Sequence, residues 1–131
     1  MKLDFFKGSR RARLLETVTV CGMVIKKGFV FNGANIPIWA VIFIWLTRWH
    51  PKVRDAACGH DWWWQQGDLS GCLEHARKCY HKGNEMLRKQ MRKDNANRYQ
   101  VFVAYHAVRF SGWVRWHKKR RKAKAMKRAA A

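Results

Sequence analysis

The chain has 131 residues, of which 28 are Lys or Arg and 8 are Asp or Glu, giving a formal charge of +20 and a pI near 10.7. That length holds one domain with a modest core, and the charge favours a polyanionic partner: nucleic acid, an anionic membrane face or an acidic protein. No transmembrane segment is expected, because the strongest apolar run, Ile36 to Leu46, falls short of the ~18–20 residues that cross a bilayer.

Residues 1–13 read as a basic, flexible arm, without the apolar stretch a secretion signal needs. From Leu14 to Phe31, the pairs and singles Val18, Val20 and Val24-Ile25 are punctuated by Cys21-Gly22 and by Lys26-Lys27-Gly28. Short β-branched runs between turn residues predict two or three strands in a small hairpin. The loop Asn32-Gly33-Ala34-Asn35-Ile36-Pro37 follows. A helix is predicted from about Pro37 to Trp49, ended by His50-Pro51, and a second from about Lys52 to Gln65. Gly67 to Ser70 reads as a turn, with Ser70 placed to cap a third helix from about Gly71 to Arg92 that Gly83 weakens. After a turn at 93–97, a last helix starts near Arg98 and runs toward the basic tail. The expected fold is mainly α, about four helices with a small N-terminal β-hairpin element. Residues 14–117 would form one globular domain and 118–131 a basic, low-complexity tail.

The four cysteines, Cys21, Cys58, Cys72 and Cys79, are expected as reduced thiols of an intracellular protein. Near the end of the chain, Arg115, Lys118, Lys119, Arg120, Arg121, Lys122, Lys124, Lys127 and Arg128 are answered by no acid. Taking these nine from the 28 cations and setting the rest against the 8 acids still leaves +11, so the body is basic too. As a helix this run is ringed by charge, with no apolar stripe past Trp116. That disfavours insertion into a membrane and suits phosphate binding by counterion release, so nucleic acid is the expected partner. A host protein and a peripheral anionic membrane face are the alternatives. Neither helix-turn-helix nor zinc-finger spacing is present, so little base selectivity is expected. Eight Trp residues suit cores, interfaces and base stacking alike.

Chemistry, if any, centres on Ala57-Cys58-Gly59-His60-Asp61-Trp62-Trp63-Trp64. On a helix His60 and Trp64 share a face, with Asp61 about 100° away. Upstream stands Gly28-Phe29-Val30-Phe31-Asn32-Gly33-Ala34-Asn35-Ile36-Pro37; downstream stand Gly83-Asn84-Glu85-Met86-Leu87 and Ala104-Tyr105-His106-Ala107-Val108-Arg109-Phe110-Ser111-Gly112. In order and spacing these segments resemble the phage and bacterial family known as domain of unknown function 1353. Its members typically read G-F-x-T-D-G-A-S-x-P, A-x-x-H-D-x-L-Y, A-D-x-x-F and M-Y-x-A-V-R-x-F-G. The resemblance covers roughly residues 18–112 and implies a cytoplasmic protein of a bacterial host cell, or a virion-associated one.

The layout is also similar, more distantly, to prokaryotic secreted phospholipases A₂, which implies a phospholipase-like helical arrangement. There a loop Asp and the Asp of His-Asp hold Ca²⁺, the His is general base on water, and a second-helix Asp orients it. Carried over, His60 would be the base, Asn84 its orienting group, and Asp61 with Asn32 and loop carbonyls the calcium ligands; Trp62, Trp63 and the 36–46 helix would line an acyl groove. This chain departs from the pattern at four places: Asn32 and Asn84 stand where it has Asp, Asn35 where it has Ser, and Trp64 where it has Tyr. Two amides for two carboxylates weaken a divalent-cation site, and an amide behind a histidine invites the wrong tautomer. The expectation is therefore a degenerate hydrolase-like site, with His60 as a buried histidine hydrogen-bonded to Asn84 and no cofactor.

Two other readings compete. Cys72, His75 and Cys79 share a face of the third helix, and Cys58 or His60 would complete a zinc set, although no paired C-x₂-C turn is present. An accessory protein that binds a polyanion or a host protein through its basic, Trp-rich surface is the leading function; a calcium-assisted hydrolase of ester or amide bonds is the alternative. Inhibition of a host enzyme or defence has no residue of its own to argue for it.

Overall fold

The computed structural model describes residues 1–33 and 49–131. The helix predicted over 37–49 therefore lies, except for Trp49, outside the described residues, as do Asn35, Ile36 and Pro37. The described residues form a mainly helical fold, with five short strands at the N-terminus followed by three helices.

The strands are β1 (Leu3–Phe5), β2 (Ala12–Leu14), β3 (Val18–Val20), β4 (Met23–Ile25) and β5 (Val30–Phe31). β1, β2 and β5 make one antiparallel sheet in the order β1-β2-β5, and β3 pairs with β4 in a second. The stretch expected as a flexible arm thus contributes β1 and most of β2. Its anchor is apolar alternation: Ala12 and Leu14 are fully buried while Arg13 between them faces out. The β3–β4 hairpin closes through Cys21-Gly22, both at positive φ (47° and 80°), as a two-residue turn matched to strand twist requires. At Lys26–Phe29 the turn places Gly28 at φ 93°, a conformation that a side chain resists.

α1 (Pro51–Leu69) starts with Pro51 in its first turn, and His50 caps it by accepting the Lys52 N–H at Nδ1, 3.1 Å. It continues through Gly67-Asp68, where a turn was expected, and stops at Leu69, because Gly67 packs against the Tyr80 ring of the next helix. Ser70 does not cap the following helix; its hydroxyl accepts the Cys72 N–H, and Cys72 holds the cap position without a side-chain bond.

α2 (Leu73–Lys93) ends with Asn95 at φ 62°. The N–H groups of Asn95 and Ala96 return to the carbonyls of Arg92 and Met91, the paired bonds of a Schellman close. α3 (Arg98–Ala130) opens on a capping box between Asn97 and Gln100. It then runs without interruption through the segment expected as a low-complexity tail.

Two apolar clusters hold this together. Val53, Ala56, Ala57, Leu87, Met91, Val101 and Ala104 pack where the three helices meet. Leu14, Val20, Ile25, Phe31 and Cys58 seat the strands on α1. Gly83, expected to weaken its helix, allows α2 to approach α1: a Cβ there would lie 2.9 Å from Trp64 Cδ1 and 3.1 Å from the His60 carbonyl oxygen. Among the described residues, no helix is long and apolar enough to cross a membrane.

Candidate functional site

The buried stripe of α1 includes His60 and Trp64, and that of α2 includes Tyr80 and Asn84. Helical periodicity brings these four together at the α1–α2 crossing. A third cluster, of Trp64, Ala76 and Tyr80 with Val108 and Trp116 against it, closes the far side. The structure therefore gathers His60 and Asn84, residues 24 apart in sequence.

The Asn84 side-chain oxygen lies 3.1 Å from His60 Nε2 and accepts the Trp64 indole N–H at 3.2 Å. An indole N–H only donates, so it fixes the amide oxygen toward this pair of rings. His60 Nε2 must then carry a hydrogen. With Trp64 orienting it, the amide presents an acceptor oxygen to Nε2, as a carboxylate would. The other nitrogen, Nδ1, faces Asp61 Oδ1 at 3.3 Å. Both ring nitrogens thus face protein oxygens, and the imidazole leans on the Trp64 ring at a centroid distance of 4.3 Å.

Asp61 is equally engaged. Its Oδ2 accepts the backbone N–H of Asn32 at 3.0 Å, and one turn later Gln65 donates to the Val30 carbonyl at 2.9 Å. Together these two side chains of α1 receive the end of β5. Of the two calcium candidates, Asp61 therefore binds the backbone of Asn32, whose residue is exposed. A cavity of about 80 Å³ adjoins them, lined partly by Asn32, His60, Asp61, Ser111 and Arg115. Calcium takes six to eight oxygens. Among the described residues the cavity offers a single carboxylate, one oxygen of which accepts the Asn32 N–H, with a guanidinium in the same wall. The loop expected to add carbonyl ligands lies, from residue 34 on, outside the described residues.

The zinc set does not assemble. Cys79 Sγ lies 3.5 Å from His75 Nε2, whereas Cys72 is exposed at the cap position, and among the described residues no three His, Cys, Asp or Glu side chains could hold one ion. Cys58 sits apart in the strand-side core, where burial, reinforced by Asp61 and Asp55, pushes its thiol up to about 12. The Trp residues expected to line an acyl groove are also engaged: Trp62 packs on the strand-side core, and Trp63 lies under the Lys82 ammonium.

At the next turn of α1, Asp68 makes a second polar cluster. It accepts the Tyr80 hydroxyl at 2.5 Å and pairs with Arg115 at 2.9 Å, while its carbonyl accepts from Lys119 Nζ at 3.0 Å. Burial, followed by the Asp68 hydrogen bond, raises the Tyr80 hydroxyl well above its ordinary range. Arg115 also lies over the Trp64 ring. It is thus tied to the body, as Lys119 is through the Asp68 carbonyl. Sequence reading missed Asp68 and Tyr80 because it placed a turn at Gly67–Ser70. Continuing the helix four residues past Trp64 would have put Asp68 on the same face.

Past Arg115, Lys118, Arg121, Lys122, Lys124, Lys127 and Arg128 are exposed and make no ion pair among the described residues. Arg120 stacks over Trp116 at 5.6 Å. The whole of α3 carries Arg98, Arg109 and the nine cations from Arg115 to Arg128, and no Asp or Glu.

A family model described as "Protein of unknown function (DUF1353)" matches residues 13–108. The match includes His60, Asp61, Trp64 and Asn84 and ends before the basic run. No curated protein and no solved structure matches the chain.

Proposed function

The chain belongs to the DUF1353 family, proteins of unknown function, and for this member we propose non-sequence-specific binding of nucleic acid through the basic end of α3. The observation that carries this is a helix of 33 residues with eleven cations and no acid, six of whose last cations are exposed and unpaired among the described residues. Cations near a helix C-terminus are stabilised by its dipole, so the run stays helical as a charged rod. Its charges cover every side of that rod, which suits a phosphate backbone better than the plane of a membrane.

The His60 site reads as a structural hub. Both ring nitrogens of His60 face side-chain oxygens of the protein, which supports a positioning role over attack on a substrate. The hydrogen bonds of Asn84 and Asp61 tie α1 to α2 and to β5, which supports a scaffold role. In this reading the protein is an accessory factor rather than a hydrolase.

Salt dependence tests the proposal. Six phosphate contacts predict log K falling with log salt at a slope of about −5. Replacing Lys118, Arg121, Lys122 and Lys124 by Gln should bring that slope to about −2 and weaken duplex DNA binding by orders of magnitude at low salt. Binding to anionic vesicles with no binding to DNA, or a slope unchanged by the substitutions, would reject it.

A further inference from the structure

α2 and α3 are joined by a short turn and lie antiparallel, and a groove runs between them. Near the turn it opens to about 530 Å³, lined by Arg88, Arg92, Arg98, Phe102, Tyr105 and His106 among others. Nearer the basic end it opens again to about 300 Å³, where Arg77, His81, Arg109, Trp113, Trp116 and His117 stand in the wall. Both openings are ends of one stripe. Arg98, Phe102, Tyr105, Arg109, Trp113 and Trp116 follow one another at three- and four-residue steps along one face of α3, a length of about 27 Å.

Three properties of the stripe point the same way. Its five arginines are matched by no lysine and no acid in either lining, and a planar guanidinium suits phosphate where a lysine supplies only a point charge. Arg92, Arg98 and Arg109 are exposed and make no ion pair among the described residues; Arg88 alone is answered, by Glu85, which also accepts the Tyr105 hydroxyl. The aromatics are offered outward: Phe102 is 63 % exposed and Trp113 60 % exposed, and Phe110 lies parallel to Trp113 at 6.2 Å. Exposed rings cost solubility, and charged walls around them exclude an ordinary apolar partner.

We infer that this groove is a site for single-stranded nucleic acid, with arginines taking phosphates and Phe102 and Trp113 stacking on unpaired bases. The inference rests on the proposed nucleic-acid binding and deepens it. The exposed cations of the rod see only phosphate and would treat single strands, duplexes and polyphosphate alike. The groove needs bases free of their stack, so it discriminates by stacking and not by base edges.

The test uses the full-length chain and fluorescence anisotropy with dye-labelled oligothymidylate, a duplex of equal phosphate count, and inorganic polyphosphate as competitor. Trp113→Ala and Phe102→Ala remove exposed rings and leave the core intact, which circular dichroism checks. Stacking lost at one base should weaken oligothymidylate binding by about 5- to 150-fold, with duplex affinity changed less than twofold. Partial quenching of tryptophan emission by oligothymidylate, absent with polyphosphate and reduced in Trp113→Phe, is the spectroscopic sign of the same contact. Equal losses for single strand and duplex, or no loss in either variant while salt-dependent binding persists, would overturn the groove and leave the basic rod standing. Absence of binding to all three polyanions would overturn both.

Discussion

Asn84→Ala tests the reading of the His60 site as a structural hub. In the native protein one amide oxygen serves two donors, His60 Nε2 at 3.1 Å and Trp64 Nε1 at 3.2 Å, among residues only 5–7 % exposed. Without that oxygen His60 Nε2–H has no acceptor, which costs about 1–3 kcal/mol. Trp64 still donates to the Tyr80 carbonyl at 3.3 Å, so its loss is a shared bond, about 0.5–1 kcal/mol. The better helix propensity of Ala offsets about 0.6 kcal/mol. The net expectation is destabilisation by about 1–3 kcal/mol, read as a lower urea midpoint at constant m-value. In a Trp64→Phe background the same substitution should cost about 0.5–1 kcal/mol less, because only the histidine is orphaned. A cost below about 0.5 kcal/mol in the native background would refute the shared-acceptor geometry.

Three further outcomes follow from other parts of the molecule. Gly83→Ala should destabilise by about 1–3 kcal/mol in thermal or urea unfolding, despite its helix propensity, because the new methyl meets Trp64 and the His60 carbonyl at 2.9–3.1 Å. Thiol labelling of the native protein near pH 8 should modify exposed Cys72 and spare Cys58, which burial holds protonated up to about 12, until denaturant is added. Glu85 is held below its ordinary value, chiefly by the Tyr105 hydroxyl and then by Arg88, against the opposing effect of burial. A depressed carboxyl contributes stability above its unfolded value, 4.5, and loses it as pH falls through the lower folded value. Tyr105→Phe should therefore make the acid-side decline in the urea midpoint shallower, while stability well below that window stays nearly unchanged.

Much of the architecture was legible because it depends on local chemistry. Alternation in Val18–Val20 and Met23–Ile25, with Cys21-Gly22 between them, identifies a hairpin from sequence alone, since turn type and side-chain period are properties of neighbours. The break at His50-Pro51 and the turn at 93–97 are local signals of the same kind, and helices begin at Pro51 and Arg98. Local signals failed where tertiary contacts overrode them. Gly67-Asp68 looked like a turn, yet it is the last part of α1, because Gly67 is needed against Tyr80 and Asp68 against Arg115. Residues 1–13 looked like a free arm, yet β1 and β2 form because Leu3 and Leu14 find a core supplied by distant strands and α1.

The same division runs through the site. Sequence by itself determined the charge and the acid-free last helix, and the resemblance to a known layout suggested the pairing of His60 with Asn84. Only tertiary structure decided what those groups do. Trp64 sets the orientation of the Asn84 amide, Asn32 and His60 face the two oxygens of Asp61, and Asp68 draws Arg115 out of the basic run. Periodicity states which face a residue occupies. Donor and acceptor roles depend on what stands opposite, and that is settled only when helices far apart in sequence pack together.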